Sequence, residues 1–430
     1  TINATQLPYI VPGLSGATNY SVRVKGIGDD VQDSKWIGAS FKTDTEQIFE
    51  ALDPETLTAN SVTLSWTPGA NVSTINVSPG DVVHTITPDE KAAGKATVTG
   101  LVGETEYTAT LYRETKIRGT RTFTTLIDLT TATVVEPGND FESMVASANN
   151  GDVFVFLPGN YDINKDIVID KSISIKGYKP FNKPVIKGMV IRINANAGLT
   201  LKDLIMDGTG SSGNQTIVYN QDLDNAYGDL NVENCEFSNY VKGFLYVSKK
   251  ALINNVTYTN NIIHDIECNG GDFIDFRKGI AQNFTFINNT VYNSALSRDL
   301  FRMDAGGSDN FDAVTSTIVI NNNTFDRICN SSSKRILYIR LAKHSITFNK
   351  NIVANSEGIY TNQSSTTVTT LTDNNYFNAP NYTEGDAKYI DSNSGNYTKL
   401  DPEFTDPDNG NYTLGNEDLK FDGIGAARWR

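Results

Sequence analysis

The sequence predicts an all-β protein in which immunoglobulin-like β-sandwich modules precede a right-handed parallel β-helix. A motif of the form Gly-Leu-x-Gly-x-Thr-x-Tyr occurs twice near the start of the chain. Further along, an Asn followed after one residue by a large apolar residue recurs about once per β-helix coil. These repeats divide the chain into a partial module at 1–45, a complete module at 46–127 and a β-helix at 128–430.

Both copies of the motif lead into strands with alternating apolar residues, which are Tyr20, Val22 and Val24 in one copy and Tyr107, Ala109 and Leu111 in the other. A Tyr at the start of such a strand, with its hydroxyl bonded to backbone a few residues upstream, is the tyrosine corner of immunoglobulin-like sandwiches. Trp66 ends an earlier strand and is the expected buried aromatic residue. The second module therefore resembles a fibronectin type III domain.

The first module lacks its early strands, since only 13 residues precede Leu14. We therefore expect the sequence to be a fragment of a longer precursor. Glycan binding is one role for these modules. A spacer role is favoured, because a sandwich fold alone does not confer function.

The composition argues against several classes of protein. With 36 Lys+Arg against 50 Asp+Glu, the net charge of -14 repels nucleic-acid phosphates and anionic membranes. No apolar run approaches the ~20 residues of a membrane span, and no secretion signal opens the sequence. The cysteines are too widely spread for a zinc knuckle and lie at Cys235, Cys268 and Cys329. Nucleotide, haem and zinc are therefore not expected as cofactors.

The start of the predicted β-helix consists of three elements. A short amphipathic helix is capped by Asp140, a strand ends in Leu-Pro-Gly-Asn-Tyr (157–161), and a second strand ends in Lys-Gly (176–177). Their order and spacing resemble the opening of pectin-lyase-like β-helices.

Repeated asparagines support the same architecture. They follow one another at steps of 28, 34, 28 and 24 residues and are Asn261, Asn289, Asn323, Asn351 and Asn375. Cys235 takes the same place 26 residues before the first of them. Stacked asparagines can exchange side-chain hydrogen bonds, so we interpret them as a structural ladder rather than as polar ligands. Cys235 is likewise interpreted as a buried ladder residue rather than a nucleophile.

A second repeated strand lies between the Asn corners, with copies at 244–248, 273–277, 300–304, 336–340 and 358–362. Its second and fourth positions are mostly apolar and are predicted to point inward. The third and fifth positions must then face solvent. Position three holds Tyr246, Asp275, Arg302, Tyr338 and Tyr360, and position five holds Ser248, Arg277, Asp304, Arg340 and Asn362.

These two columns concentrate Arg, Asp and Tyr side chains on an acidic protein. Arg binds carboxylates through paired hydrogen bonds and Tyr stacks on sugar rings, so the columns suit an acidic polysaccharide. The alternative is a set of Arg–Asp pairs that merely neutralises an exposed sheet. Exposed tyrosines in three coils favour binding. The substrate-binding residues are then Tyr246, Asp275, Asp304, Tyr338, Arg340 and Tyr360.

One segment reads Asp-Phe-Ile-Asp-Phe-Arg-Lys-Gly (272–279), and Phe-Arg (301–302) follows it one coil later. Together they resemble the active-site region of the chondroitinase B and alginate lyase family. The resemblance implies a catalytic Arg at Arg302 and a calcium-binding acid at Asp272. It places Arg277, with Lys278 beside it, where the family has a Lys as the base. The family's second calcium acid falls at Gly270.

The resemblance implies a polysaccharide lyase that cleaves uronic-acid-containing polysaccharide by β-elimination. That reaction needs the uronate carboxylate neutralised, the C5 proton removed and the leaving oxygen protonated. One alternative is a non-catalytic surface protein that binds glycans. Another is a β-helical glycoside hydrolase, which needs two carboxylates ~5–9 Å apart, with Asp275 and Asp304 as candidates.

The order of domains also bears on location. Fibronectin-type modules before a β-helix are similar to surface glycan-utilisation proteins of gut Bacteroidetes. This similarity implies an exported lipoprotein at the outer membrane or in the periplasm. We expect a monomer whose partner is an acidic polysaccharide and not a nucleic acid.

Overall fold

Parallel β-sheets dominate the computed structural model, which describes residues 2, 4–28, 31–385, 387–391 and 396–430. The chain divides into two units, residues 1–128 and residues 129–430. The first unit contains antiparallel sheets and the second contains the parallel ones. The predicted fold class, an all-β chain with a parallel β-helix, is confirmed.

One local structure, an antiparallel strand pair with a tyrosine bonded to upstream backbone, occurs in two copies in the first unit. In the second copy, Ser61–Ser65 pairs with Lys95–Thr99, and a four-stranded sheet has the order Val82–Thr85, Thr74–Ser78, Glu106–Arg113 and Lys116–Thr124. In the first copy, Asn19–Val24 pairs with Ile37–Lys42. The Tyr107 hydroxyl accepts a hydrogen bond from the Val102 N–H at 2.9 Å, and the Tyr20 hydroxyl accepts one from the Ser15 N–H at 2.8 Å.

Three parallel sheets build the second unit. Sheet 1 consists of ten strands, Thr133–Val135, Val153–Phe156, Ile173–Gly177, Leu199–Lys202, Leu230–Glu233, Leu252–Thr259, Ile280–Ile287, Ser316–Asn321, His344–Asn349 and Thr370–Thr372. Sheet 2 consists of seven, Asp166–Ile169, Val190–Ile193, Ile217–Tyr219, Leu245–Val247, Ile274–Phe276, Phe301–Met303 and Leu337–Ile339. Sheet 3 consists of ten, Asn160–Asp162, Val185–Lys187, Ile205–Asp207, Glu236–Ser238, Ile262–His264, Thr290–Ser294, Thr324–Ile328, Ile352–Ala354, Asn374–Phe377 and Tyr397–Thr398.

Helices are short and lie between or beside the strands. The α-helices of the described residues are Pro88–Ala93, Phe141–Ala146, Gly306–Asn310 and Glu417–Phe421. Short 3-10 turns are Ala4–Gln6, Pro54–Thr56, Leu129–Thr131, Pro380–Tyr382, Pro407–Asn409 and Ala427–Trp429. Asp140 caps the second α-helix, as predicted, through the Ser143 backbone N–H and hydroxyl. Within the described ranges, no helix has both the length and the apolar character needed to cross a bilayer.

Each complete coil visits sheet 1, sheet 3 and sheet 2 in turn, with apolar side chains pointing inward. The interior is lined with buried Ile, Leu, Val and Phe side chains from all three sheets. Successive phenylalanines stack one coil apart, for example Phe286 on Phe325 and Phe325 on Phe348. Burial of these side chains, at about 1.5–3 kcal/mol each, is the main force that closes the coils.

The predicted asparagine ladder forms at the corner between sheets 1 and 3. Each amide nitrogen donates to the carbonyl oxygen of the next Asn side chain, at 2.9 Å, 3.3 Å, 2.9 Å and 3.2 Å, along the series Asn261, Asn289, Asn323, Asn351 and Asn374. The last member is therefore Asn374 and not Asn375. The parallel pairing of Ile352 with Asn375 places Asn375 one residue past the corner.

Cys235 begins the ladder without an amide of its own. Its backbone N–H donates to the Asn261 side chain at 2.9 Å, and its side chain is buried. Burial raises the pKa of the Cys235 thiol to about 12. It is a structural residue, as the sequence predicts, because a nucleophilic cysteine needs an accessible thiolate.

Candidate functional site

Sheet 2 carries most of the predicted polar residues in two neighbouring columns. Read along consecutive paired strands, the first column is Tyr246, Asp275, Arg302 and Tyr338. The second column lies two residues later in each strand and is Ser248, Arg277, Asp304 and Arg340. Neighbouring strands lie ~4.8 Å apart, so side chains of adjacent coils reach each other. The predicted register of these four coils is confirmed by the pairing.

Arg277 is held by carboxylates from two coils. Its Nε lies 2.5 Å from Asp275 Oδ1, and its Nη2 donates to Asp275 Oδ2 at 2.8 Å. Its Nη2 also lies 3.3 Å from Asp272 Oδ2, and its Nη1 lies 3.8 Å from Asp304 Oδ2. Arg277 is thus a half-buried member of an ion-pair network.

Asp275 lies beneath this network and does not face solvent, contrary to the prediction. Its side chain is fully buried, because Arg277 engages both carboxylate oxygens. Burial raises the pKa of Asp275, while Arg277 acts in the opposite direction. The prediction of Asp275 as a solvent-facing substrate-binding residue is therefore wrong, and its contact is with Arg277.

The electrostatics of Arg277 favour binding over proton abstraction. Burial alone would lower its pKa, but the hydrogen bonds and charge of Asp275 raise the pKa overall. A guanidinium that stays charged cannot accept the C5 proton of a uronate. Arg277, which the resemblance places at the base, therefore lacks the protonation state of a base.

Arg302 bridges the two columns. Its Nη1 donates to Asp272 Oδ2 at 3.1 Å, its Nε to Asp304 Oδ1 at 3.1 Å and its Nη2 to Asp304 Oδ2 at 2.9 Å. Burial opposes its charge, but Asp304 and Asp272 raise the pKa of Arg302 overall. Two carboxylates thus fix a permanent cation at this point, where the resemblance implies the catalytic Arg.

The ring of Tyr338 lies next to three guanidinium groups. The Cζ atoms of Arg335, Arg302 and Arg340 lie 4.6 Å, 4.8 Å and 6.0 Å from the ring centroid. Arg335 is fixed by paired bonds to Asp299, each 2.8 Å long. Arg335 and Asp299 were not predicted from the sequence, because both stand just before their strands, outside the five-residue repeat.

We call this set of side chains the Arg–Asp cluster. It consists of Asp272, Asp275, Arg277, Asp299, Arg302, Asp304, Arg335, Tyr338 and Arg340. Three of its four guanidinium groups make ion pairs within it. Arg340 is exposed, and in the described part of the chain its guanidinium bonds only the Tyr338 hydroxyl, at 3.4 Å.

Lys278 and Tyr246 flank the cluster. The Lys278 side chain is exposed, and among the residues described its amine makes no ion pair or hydrogen bond. Tyr246 is partly buried and packs against the apolar core. The structure therefore leaves an exposed amine beside Arg277, whereas the ring of Tyr246 offers only part of its surface to a ligand.

Tyr360, predicted to bind substrate, is fully buried. A bridge between Arg335 and Ile359 shifts the fifth coil, so that Tyr360 lies level with the buried Ile336. Its hydroxyl bonds the hydroxyl of Tyr376 in the interior. The residue beside Tyr338 at the surface is Asn362, whose amide oxygen accepts from Arg335 at 3.1 Å.

The implied calcium site can be tested against its donor atoms. Asp272 Oδ2 accepts from Arg302 and lies 3.3 Å from Arg277, while Oδ1 accepts from the Asp299 N–H at 3.2 Å. Gly270 brings no carboxylate. Among the described residues, no group of three or more His, Cys, Asp or Glu side chains is arranged to hold a metal. These residues do not fit calcium at Asp272, since guanidinium groups already neutralise it.

The carboxylates do not favour hydrolysis either. A β-helical hydrolase needs one carboxylic acid to protonate the glycosidic oxygen and one carboxylate facing it. Asp275 is fully buried, and both oxygens of Asp304 accept from Arg302. The pair named from the sequence is therefore committed to arginines.

Two families match within the β-helix. The family described as "Domain of unknown function (DUF4957)" matches residues 159–294, and the one described as "Domain of unknown function (DUF5123)" matches residues 318–429. No curated protein matches the chain.

Solved structures that the chain resembles include polysaccharide-degrading enzymes. The PL6 family alginate lyase AlyGC is 18% identical at a TM-score of 0.43, over 76% of this chain and 46% of that chain. A mutant of the same enzyme matches at 18% identity and a TM-score of 0.43, over 77% and 46%. A Yersinia enterocolitica family 28 exopolygalacturonase is 12% identical at a TM-score of 0.30, over 83% and 82%. The chain thus spans less than half the length of the alginate lyase, and the likeness concerns the fold alone.

Proposed function

We propose that the Arg–Asp cluster binds a uronic-acid-containing polysaccharide. The observation that carries the proposal is the ring of Tyr338 with Arg302, Arg335 and Arg340 around it. A guanidinium binds a carboxylate through two parallel hydrogen bonds. The Tyr338 ring gathers three guanidinium groups at one partly exposed place.

The ion pairs of the cluster support binding because they position the cations in advance. Arg302 and Arg335 are held by Asp304 and Asp299, so little side-chain freedom remains to be lost when a ligand arrives. Arg340 is exposed and has no carboxylate partner in the described part of the chain, so it is available to the ligand. The first ligand carboxylate is therefore assigned to Arg340.

Retention in affinity electrophoresis tests this function. Gels would contain polygalacturonate, alginate or a glycosaminoglycan, with a neutral polysaccharide for comparison. Arg340→Ala should reduce retention by roughly tenfold in apparent affinity, since one charge-assisted contact is lost. Arg113→Ala removes the same charge from the exposed end of a strand in the first unit and should change nothing. Equal mobility of wild type and Arg340→Ala on every acidic gel would refute the proposal.

β-Elimination is the second candidate, and Lys278 favours it. Its exposed amine is next in sequence to Arg277 and has no ion-pair partner in the described part of the chain. In this scheme Arg302 neutralises the uronate carboxylate and Lys278 accepts the C5 proton once it is deprotonated. The electron pair of the C5–H bond then forms the C4–C5 double bond as the C4–O bond breaks, and the departing oxygen takes a proton from solvent water.

An absorbance assay separates the two candidates. The unsaturated uronate produced by elimination absorbs in the ultraviolet, so the same polysaccharides are incubated with protein and followed over time. If the lyase candidate holds, Lys278→Ala abolishes the signal while retention on gels survives. Because the residues at Asp272 do not fit calcium, a chelator should leave both readouts unchanged. No absorbance change with retention intact would leave binding as the function.

The location at the cell surface stays a prediction. An exported position would bring the cluster to polysaccharides outside the cell, which an intact cell does not admit. Protease accessibility of the protein on whole cells of its source would test it.

A further inference from the structure

A cleft of about 650 Å³ lies beside the Arg–Asp cluster and is not part of it. Two turns of consecutive coils line it, the first from Asp265 to Asn269 and the second from Leu296 to Arg298, together with Asn293 near the end of the strand Thr290–Ser294. Each turn leads from sheet 3 into the next strand of sheet 2. Its volume falls within the range of ordinary ligand sites, ~300–1,000 Å³.

Arg298 is the unusual side chain of this cleft. It is half-buried, and in the described part of the chain its guanidinium has no carboxylate within ion-pair distance. Arg277, Arg302 and Arg335 all have such partners. Burial raises the pKa of the Cys268 thiol, which belongs to the core beneath the cleft, and the positive charge of Arg298 opposes that rise.

The lining also includes the carboxylates of Asp265 and Glu267, and the remaining groups suit a sugar. Asn269, Asn293 and Ser297 supply amide and hydroxyl groups, and Leu296 exposes 42% of its surface as an apolar contact. Asp265 is already bonded to His264 at 2.7 Å, so it does not neutralise Arg298. An apolar surface with a few converging polar groups is the usual composition of a small-ligand site.

Each turn of the cleft also leads directly into a residue of the cluster. Asp272 follows its first turn and Asp299 follows its second, and the Asp299 N–H donates to Asp272 Oδ1 at 3.2 Å. Asp299 in turn fixes Arg335. A chain of sugars lying on the cluster therefore has the cleft directly beside it.

We propose that this cleft is a second subsite, in which Arg298 binds the carboxylate of one uronic acid unit while Asn269 and Asn293 bind its hydroxyl groups. The inference rests on the proposed function, because its ligand is another unit of the same polysaccharide. Binding then requires two separated carboxylates of the same ligand. Arg340 binds one of them and Arg298 binds the other.

Calorimetry with defined ligands tests the subsite. The probes are hexameric oligogalacturonate, oligomannuronate and oligoguluronate, and the same hexamers with their carboxyl groups reduced to alcohols. Arg298→Ala should weaken binding of the preferred acidic hexamer by roughly tenfold, and Arg298→Lys by less, because it keeps the charge without the paired bonds. Asn269→Ala, at an exposed position, should weaken binding by a smaller factor.

Controls separate folding from binding. Arg113→Ala matches the change of charge outside the β-helix and should leave the affinity unchanged. Circular dichroism establishes that each variant is folded; if Arg298→Ala is not, then Arg298→Lys and Asn269→Ala decide. The proposal is overturned if Arg340→Ala weakens binding while the folded Arg298 and Asn269 variants bind as wild type does, and in that case the proposed function still stands.

The subsite can also be tested if no hexamer or polymer binds. That result would reject the proposed function, and free galacturonate, mannuronate, guluronate and glucuronate would then be examined by saturation-transfer NMR at millimolar concentration. A signal that disappears in Arg298→Ala, with none for glucose or acetate, would support a carboxylate sugar in the cleft. Equal signals for wild type and Arg298→Ala, or no signal at all, would overturn the subsite as well.

Discussion

Two columns of polar residues run along the same β-helix and differ in almost every physical respect. The asparagine ladder is neutral and fully buried, and after Cys235 it repeats one residue type. The Arg–Asp cluster is charged, partly exposed and changes its residue type from coil to coil. Both follow from the stacking of coils ~4.8 Å apart.

The difference shows how to read a repeated position in a coil. Where each side chain must satisfy the next one, as Asn289 does for Asn323, identity repeats because any other residue leaves buried groups without partners. Where side chains face a ligand, position repeats but identity varies. The ladder therefore serves stability, and we expect the cluster to contribute less to stability and more to binding.

The largest expected effect is on the ladder. Asn323 accepts from the backbone and side chain of Asn289 and donates to Phe286 O and Asn351 Oδ1. Asn323→Ala leaves several of these buried groups without partners and should reduce the free energy of unfolding by about 3–5 kcal/mol. Urea titration followed by circular dichroism measures it.

A partly exposed asparagine provides the matched control. Asn283 donates to Asn255 Oδ1 at 3.0 Å on the outer face of sheet 1. Water can replace that bond, so Asn283→Ala should reduce the free energy of unfolding by less than about 1 kcal/mol. Similar losses for the two variants would show that the ladder has no special structural role.

A smaller effect is expected in the cluster. Arg302→Ala removes the 3.1 Å contact of the buried Asp272 and leaves it with Arg277. This should reduce the free energy of unfolding by about 1–3 kcal/mol, since one partner of a buried charge is lost but another remains. The same urea titration applies.

Two further variants sharpen this measurement. Adding Asp272→Asn to Arg302→Ala should restore part of the loss, because the buried charge is then removed. Arg340→Ala, at an exposed position, should change stability by less than about 0.5 kcal/mol. A loss for Arg340→Ala as large as that for Arg302→Ala would contradict the division between stability and binding within the cluster.

The repeats made much of this arrangement predictable. A strand period of two assigns inward and outward residues, and one coil per step then aligns Tyr246, Asp275, Arg302 and Tyr338. The ladder was predictable for the same reason, except at its end. There two adjacent asparagines fit the pattern, and only the pairing of Ile352 with Asn375 distinguishes them.

The predictions of surface positions for Tyr360 and Asp275 are wrong for physical reasons that a sequence repeat does not contain. Tyr360 occurs where the pattern expects a surface Tyr, but the bridge from Arg335 to Ile359 shifts its coil. Asp275 has the outward position of its strand and is nevertheless covered by Arg277. Arg298 lies in a turn, and the length and path of turns vary between coils. The strand repeat therefore does not predict where Arg298 lies.

A third column of polar side chains lies on sheet 3. It combines part of the burial of the asparagine ladder with the charge of the Arg–Asp cluster. It contains His264 and Tyr292, whose rings stack with centroids 4.8 Å apart. His264 Nδ1 lies 2.7 Å from Asp265 and Nε2 lies 3.4 Å from Glu236. Burial would lower the pKa of His264, but these carboxylates raise it overall, and His264 lowers the pKa of Glu236.

The smallest expected effect is therefore a change of stability with pH. The folded-state pKa of His264 lies above its ordinary 6.5, so its contribution is complete below that pH and is lost as pH rises through the folded value. When wild type is compared with His264→Asn, the His264 contribution to stability should be roughly 0.5–1 kcal/mol larger at pH 5.5 than at pH 8. The difference is small because both carboxylate partners are partly exposed and solvent screens their charges.

His344 gives a control of opposite sign. It is neutral, with Nδ1 donating to Leu341 O and Nε2 accepting from the Thr367 N–H, and burial lowers its pKa. The contribution lost in His344→Gln should thus be larger at pH 8 than at pH 5.5. Parallel pH dependences for the two variants would show that the carboxylates around His264 do not stabilise its charged form.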